Sequence, residues 1–303
     1  MSLTGADSTA AANEVFGRHP GFRALHAKGT LLKGTFTATP EAKALTKAGH
    51  MQGEPVPVTV RVSNGIGNPD VPDYSPDVRG LAIKFYLPDD SRTDLVAQTA
   101  PRWPTHGPEG FLELLQAQKP GPAMAWKMPL FLARHPEALP GLPINLKALR
   151  PPESYATATY YAIHAFRWVD SQGGSRHVRY TLEPEAGDVR IGPREAKRRG
   201  RDYLQTEIRD RIAANPVRFG LKLQIAGPGD NVDDPNAQWP SHRQRVSAGT
   251  LELTALETER ETQGDVLVFD PTRMVDGIEL SDDPVLRYRH DAYSDSVAQR
   301  MGA

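Results

Sequence analysis

The chain has 303 residues, and its 36 Lys and Arg side chains nearly balance its 37 Asp and Glu side chains, which leaves a formal net charge of −1. This balance gives no general positive field for binding nucleic acid or an anionic membrane. The chain contains no cysteine, which excludes disulfides, zinc fingers, iron–sulfur clusters and metals bound through a thiolate.

Alternating and β-branched patterns predict strands at intervals along the chain. They cover residues 22–39, 56–63, 79–87, 159–170, 176–183, 217–226 and 247–257. Amphipathic patterns predict helices over 108–118, 122–134, 198–213 and 283–301. Since strands gather early and late instead of alternating with helices, the order predicts an α+β fold, an antiparallel barrel or sheet with flanking helices. No linker or repeat divides the chain, so we expect a single domain over 1–303, with residues 1–20 as a flexible N-terminal segment.

The second predicted strand has two different faces. Valines at alternate positions from Val56 to Val62 share one face, and Arg61 and Ser63 share the other. Either the polar face meets solvent, as in an ordinary half-buried strand, or it lines a cavity and faces a ligand. His26 in the first predicted strand presents a similar choice. It is either a satisfied core or surface residue, or a catalytic group that Ser63 orients through one ring nitrogen while the other transfers protons.

One face of the C-terminal helix combines apolar and charged side chains. At about 100° per residue, that face carries Leu286, Arg289, Tyr293, Val297 and Arg300. An arginine is almost never fully buried unless it is paired, so this face calls for an anion inside the protein. A metal-bound phenolate of Tyr293 would supply that anion beside Arg289, and Arg300 follows about 10 Å further along the axis. The alternative is an ordinary core helix whose arginines extend to water.

Seven fragments occur in order from about residue 20 to the end of the chain. They are FRALHAKGTLLKGTF, VRVSNG, DVRGLAIKFY, DLVAQTAP, DPNAQWP, VFDPTRMVDGIE and RYRHDAY. In this order the chain resembles the haem catalases, and in particular the short catalase-related peroxidases. The resemblance implies an antiparallel β-barrel catalase core with flanking helices, and haem b in a pocket between the barrel and the C-terminal helix. We expect the long N-terminal arm and the flavodoxin-like C-terminal domain of large catalases to be absent.

The resemblance also implies roles on the proximal side of the haem. Tyr293 matches the axial tyrosine that ligates the iron through its phenolate. Arg289 matches the arginine one turn earlier that keeps this phenolate anionic. Arg23, Arg61 and Arg300 match the arginines that bind the haem propionates, and the placement of Arg23 depends on the resemblance alone.

On the distal side, His26 matches the acid–base histidine, and Ser63 matches the serine that orients it. Phe111 matches the aromatic residue packed against the distal haem face, although a plain core phenylalanine would fit its helix equally well. Gln98 stands where large catalases have a distal asparagine, and its extra methylene shifts the amide. By a gapless match from His164, Thr181 stands where large catalases have a proximal histidine, and its neutral hydroxyl cannot carry the same charge.

These features predict a haem-dependent peroxidase. We expect it to reduce hydrogen peroxide or organic hydroperoxides, to oxidise small organic donors and to have weak catalase activity. The alternatives are a true catalase, an enzyme that rearranges fatty-acid hydroperoxides as allene oxide synthases do, and a haem carrier without activity. We expect no nucleic-acid or membrane partner, and by analogy with the family a homodimer or larger homo-oligomer. The chain shows no signal peptide or membrane-spanning stretch, so we expect a cytoplasmic location. The sequence identifies no NADPH site.

Overall fold

The computed structural model of the chain describes residues 4–259 and 267–300, with side chains through Val297. Its strands are β1 (Gly29–Ala38), β2 (Val56–Asn64), β3 (Arg79–Tyr86), β4 (Arg92–Gln98), β5 (Tyr160–Val169), β6 (Ser175–Pro184), β7 (Val217–Ile225), β8 (Arg245–Leu256) and β9 (Ile278–Leu280). Its helices are α1 (Gly5–Phe16), α2 (Pro40–Lys43), α3 (Pro108–Ala117), α4 (Met124–Arg134), α5 (Leu142–Ala148), α6 (Pro193–Arg199), α7 (Tyr203–Ala214) and α8 (Pro284–Arg300). Short 3₁₀ helices cover Gly49–Met51, Pro136–Gly141 and Tyr155–Thr157.

The strands form an antiparallel barrel made of two meanders. The order is β4-β3-β2-β1-β8-β7-β6-β5, and Gln98 of β4 pairs with Tyr161 of β5 to close the circle. β9 pairs antiparallel with residues 166–168 of β5. This arrangement confirms the predicted antiparallel barrel with flanking helices. Closing the sheet pairs its edge strands, so few backbone groups of the barrel remain without a partner strand.

One continuous cluster of buried apolar side chains holds the barrel together. It includes Leu32, Val60, Ile83, Trp168 and Leu251, from five different strands, and each is at most 1% exposed. α7 packs against this cluster from outside through apolar positions one turn apart. Among the residues described, no helix is both long and apolar enough to cross a membrane.

The two ends of the chain meet in a helix pair. α1 lies against α8 so closely that a Cβ added to Gly5 would come within 2.2 Å of the Asp291 backbone. The Ser8 hydroxyl lies 2.8 Å from the Tyr288 hydroxyl across this contact. Residues 5–16 thus form a packed helix, where the sequence led us to expect a flexible segment. Their small side chains explain both the weak sequence pattern and the close approach.

Other elements differ from prediction for local reasons. The first strand begins at Gly29 instead of residue 22, because His26 has a left-handed backbone with φ 55° that a strand cannot accept. The helix predicted over 198–213 is broken at Gly200, where φ is 109°. β4, β9, α1, α2 and α5 were not predicted, and the helix predicted over 198–213 covers only the last two residues of α6.

Candidate active site

His26 lies in the loop just before β1, and two backbone hydrogen bonds hold it there. Its amide donates to the Gly65 carbonyl at 2.9 Å, and the next amide, from Ala27, donates to Ile66 at 3.2 Å. The ring nitrogen Nδ1 lies 3.0 Å from Oγ of Ser63. A left-handed backbone is uncommon outside glycine and tends to occur at functional sites. The predicted pairing of His26 with Ser63 is therefore present, although His26 is not on a strand.

Gly80 makes the space in which the His26 ring lies. It sits directly opposite Ser63 in the β2–β3 ladder, so both residues face the same side of the sheet. A Cβ on Gly80 would come within 2.8 Å of the His26 ring and 2.9 Å of Ser63 Oγ. Sequence reasoning missed this residue, because DVRGLAIKFY was interpreted only as a strand.

The polar face of β2 is covered by protein. Arg61 is 6% exposed and Ser63 is 4% exposed, which rules out the solvent-facing alternative for these two side chains. Nη2 of Arg61 donates to the Ala27 carbonyl at 3.1 Å, and a Cβ on Gly29 would lie 2.7 Å from the Arg61 Cζ. The guanidinium therefore occupies room left by a glycine on β1, directly beside the His26 loop.

The surroundings of His26 keep its imidazole neutral. Burial, and after it the positive charges of Arg61, Arg289 and Arg23, together lower the pKa of His26 to about 3. Arg23 is itself tied down, since its Nη2 donates to the Leu267 carbonyl at 2.9 Å. Because Arg289 belongs to α8, its effect on the pKa of His26 means that charges on the C-terminal helix act on the loop before β1. The two elements therefore share one electrostatic environment. The site thus combines a neutral base with several cations.

On α8, Arg289 connects Tyr293 to the barrel. Its Nη2 donates to the Tyr293 hydroxyl at 2.7 Å, and its Nη1 donates to Nε2 of His164 at 3.0 Å. Arginine has only donors, so both partners must accept. Nδ1 of His164 then carries the proton and donates to Oδ2 of Asp283 at 2.6 Å. Burial lowers the pKa of His164 despite the neighbouring Asp283, in keeping with this neutral tautomer.

Asp283 also begins the helix that carries Tyr293. Its Oδ1 accepts hydrogen bonds from the backbone amides of Val285 and Leu286, at 2.8 and 3.2 Å. This is the N-cap arrangement that satisfies free amides at a helix start. The carboxylate therefore fixes both the beginning of α8 and, through His164 and Arg289, the hydroxyl of its tyrosine.

The proximal histidine was predicted wrongly. We expected Thr181 to replace it, whereas the structure places His164 of β5 against Arg289. Thr181 lies on β6, where its backbone position pairs with Tyr161 and Lys222. The gapless match failed because His164 and Thr181 lie on different strands, β5 and β6. Only the folded structure shows that His164 contacts α8. Asp283 was predicted as the first residue of the C-terminal helix, but its contact with His164 was missed.

The remaining predicted residues have the following positions. Gln98 ends β4 directly opposite Gly80, and its Nε2 donates to the Ala100 carbonyl at 3.3 Å. Phe111 is half-buried on α3, where its ring packs on Trp103 with centroids 4.6 Å apart. Arg300 is the last residue of α8, and its side chain lies outside the described part of the chain.

Comparisons with known proteins agree with this architecture. A sequence model of the family described as Catalase matches residues 18–303. The chain belongs to the catalase family. It is 49% identical over 286 residues to a catalase-related peroxidase of Mycolicibacterium paratuberculosis (94% of this chain, 91% of the relative), and 33% identical over 289 residues to one of Synechococcus elongatus (94% and 85%). A crystal structure of a fungal catalase superposes with a TM-score of 0.84 at 26% identity, over 98% of this chain and 62% of the fungal one.

The residues present fit the haem that the resemblance implies. Tyr293 offers an oxygen ligand whose anionic form would be stabilised by the Arg289 donor. The cations Arg61 and Arg23 near His26 suit the carboxylates of a haem. Gly80 leaves open the space that His26 needs to face a ligand from the barrel side. Ligand donor, counter-charges and base thus occur together in one member of the catalase family.

Proposed function

We propose that this protein is a haem-dependent peroxidase. It would use haem b to reduce hydrogen peroxide or organic hydroperoxides while it oxidises small organic donors. The main support is the hydrogen-bonded series Asp283–His164–Arg289–Tyr293, which shares one electrostatic environment with His26. A tyrosine oxygen that accepts a hydrogen bond from an arginine held by a buried His–Asp pair has no evident purpose in a plain core helix.

Bound haem would supply the iron at which peroxide is activated and the redox equivalents that are exchanged with the donor. Tyr293 would bind the iron through its oxygen, and Arg289 would favour its deprotonated form through a charge-assisted hydrogen bond. His164 keeps Arg289 in place by accepting its second bond. Arg23, Arg61 and Arg300 would neutralise the propionates. Residues that support a metal ligand through hydrogen bonds in this way commonly affect both the affinity of the site for the metal and the reactivity of the metal.

His26 would move the proton of the reaction. Its Nδ1 is committed to Ser63, so Nε2 takes a proton from one peroxide oxygen and returns it to the other. The O–O bond then breaks and the protonated oxygen leaves as water, while the donor provides two electrons and the donor and solvent provide the two protons that convert the remaining oxygen to the second water. A neutral imidazole is required at the start, and the low pKa of His26 provides it across the physiological range.

Two observations favour peroxidase over catalase activity. The amide nitrogen of Gln98 donates to the Ala100 carbonyl, so this donor is engaged with backbone near the His26 site. The two relatives of highest identity reported above are both described as catalase-related peroxidases. Thr181 no longer contributes to this preference, since His164 occupies the proximal position.

Steady-state assays of the haem-loaded protein test the proposal. We expect peroxide-dependent oxidation of phenols or aromatic amines, with slow oxygen evolution from peroxide alone. His26→Ala should retain the Soret absorbance and lose donor oxidation by about 10²–10⁴-fold, the usual contribution of a positioned acid–base group. Rapid oxygen evolution without donor oxidation would instead identify a true catalase. Unchanged turnover in His26→Ala would contradict the role of His26.

The proposal includes a cytoplasmic enzyme of one domain over residues 1–303, assembled as a homodimer or larger homo-oligomer. Light scattering on the purified protein tests the oligomeric state, and cell fractionation tests the location. A monomer at micromolar concentration would contradict the assembly without affecting the assignment of the site.

A further inference from the structure

Large apolar side chains are exposed in one part of the described chain. Six of the eight most exposed ones lie between residues 124 and 146: Met124, Trp126, Leu130, Leu139, Ile144 and Leu146. Trp126 is 58% exposed and Leu146 is 55% exposed. Single exposed apolar residues are normal on a protein surface, but a group of them within one segment marks a contact with another apolar phase.

This segment is one packed unit. α4 contacts the 3₁₀ helix Pro136–Gly141, which in turn contacts α5, so the outer sides of the three elements lie next to each other. Beneath them is a small core of Ala117, Phe131 and Ala138, separate from the barrel cluster. The exposed apolar side chains are therefore presented by an ordered layer. We call the outer side of residues 121–150 the apolar face.

The charges on the apolar face have one sign. Between 121 and 150 the exposed charged side chains are Arg134, Lys147 and Arg150, and the one acidic residue, Glu137, is half-buried beside His135. Arg134 has a loose contact with Glu113 at 3.9 Å, outside the segment. The chain as a whole has a net charge of −1. The segment is thus locally positive where its apolar side chains are exposed, although the chain as a whole is not.

We propose that the apolar face binds the surface of an anionic lipid bilayer. Helices that lie in the plane of a membrane interface typically expose Trp and Leu side chains among Lys and Arg, as the apolar face does. Trp126 suits this role, since Nζ of Lys127 lies 6.0 Å from its ring centroid and both can remain at headgroup level. Our expectation of no membrane partner relied on the overall charge, which conceals this local excess. The inference does not depend on the proposed enzymatic function.

A second copy of the chain is a less suitable occupant. In a two-fold contact the same face meets itself, which would bring Arg134, Lys147 and Arg150 of both copies close together. Like charges in a desolvated contact oppose association, whereas anionic headgroups attract each of them. Charge complementarity therefore selects the lipid surface.

Vesicle sedimentation of the full-length protein tests this proposal. We expect it to sediment with vesicles of equal parts phosphatidylglycerol and phosphatidylcholine, and at least tenfold more weakly with phosphatidylcholine alone. Raising the salt concentration should weaken the binding, because screening reduces the attraction between surface charges. Absence of binding to either vesicle, or equal binding to both, would overturn the proposal.

Matched variants identify the surface involved. Trp126→Gln with Leu130→Gln removes apolar contact, and Arg134→Glu with Lys147→Glu reverses charge; we expect each pair to weaken binding by roughly tenfold or more. The controls are Val189→Ser, an exposed apolar residue outside residues 121–150, and Lys197→Glu on α6. Both controls should bind as the native chain does.

Circular dichroism and unchanged Soret absorbance verify that each variant is folded. Native binding by both variant pairs would overturn the proposal. So would a dimer that Trp126→Gln dissociates while vesicle binding is absent, because the face would then serve self-association.

Discussion

The Asp283 carboxylate and the His164 imidazole lie 2.6 Å apart, and both are almost completely buried. Through this contact the start of α8 is connected to β5 of the barrel, and through Arg289 it reaches the hydroxyl of Tyr293. The helix that carries the candidate metal ligand is therefore fixed by the same carboxylate that orients the ligand. A change that moves Tyr293 would therefore also change the hydrogen bonds and charges around its hydroxyl.

Replacing His164 by Leu tests this connection. Arg289 would lose an acceptor and Asp283 a donor, so we expect haem affinity and donor oxidation to fall by about 10–100-fold, as for other residues that support a metal ligand. Haem titration followed by Soret absorbance, with kcat for donor oxidation, measures both. The control is His242→Leu at an exposed position. If His164→Leu binds haem and turns over as the native enzyme does, the connection has no functional role.

Gly80→Ala tests the space beside His26. The new methyl group would lie 2.8 Å from the His26 ring and must displace it or Ser63. Since a shift of about 1 Å in a catalytic group can cost roughly 10²-fold, we expect a loss of that order in kcat/KM for peroxide with haem retained. Gly220→Ala in β7 is the matched control, because its Cβ would meet no atom closer than 3.7 Å. Equal kinetics in the two variants would show that His26 tolerates the methyl group.

The sequence predicted the barrel better than it predicted the boundaries of individual elements. The alternation in β2 was sufficient to locate that strand, because a buried face repeats every second residue. β4 was missed because its buried Asp94 and Thr93 disrupt any simple apolar pattern. Such covered polar residues depend on partners from other strands, which a single segment cannot reveal.

Within the site, the sequence identified the residues whose side chains have an evident chemical role. It missed those whose role depends on the position of another residue. His26, Ser63, Arg289 and Tyr293 have a chemistry that a sequence displays. The contribution of Gly80 is an absent Cβ opposite Ser63, which only the β2–β3 register makes visible. His164 was misplaced for the same reason, since its role depends on which strand faces α8.

Lys84 of β3 and Asp94 of β4 form a buried ion pair, 2.5 Å apart. Removing one partner, as in Lys84→Met, leaves a buried carboxylate whose remaining partners are Arg273 and the Asp270 amide. We expect a loss of about 3–5 kcal/mol in the free energy of unfolding, measured by urea denaturation. Arg167→Met at the half-exposed pair with Glu279 should cost at most about 1 kcal/mol. Similar losses for the two variants would indicate that Asp94 is well satisfied without Lys84.

His50 gives the protein a specific weakness in acid. It is 3% exposed, its ring packs 4.7 Å from that of Phe85, and its Nδ1 has no hydrogen-bond partner among the described residues. Burial lowers the pKa of His50 from 6.5 to about 4. Between these two pH values the unfolded chain binds more protons at this residue than the folded one. His50 therefore contributes a rise in the free energy of unfolding with pH across this interval.

At about 1.36 kcal/mol for each pH unit, His50 contributes roughly 3 kcal/mol to that rise. His50→Leu removes the titrating ring and keeps the site apolar, so its unfolding free energy should increase less between pH 4 and 6.5. Urea denaturation at several pH values measures the difference from the native protein, and His242→Leu at an exposed position should leave the native profile unchanged. Burial also lowers the pKa of His26 and His164, so both variants should retain part of the rise. Parallel profiles for His50→Leu and the native protein would mean that His50 titrates alike in the folded and unfolded chains.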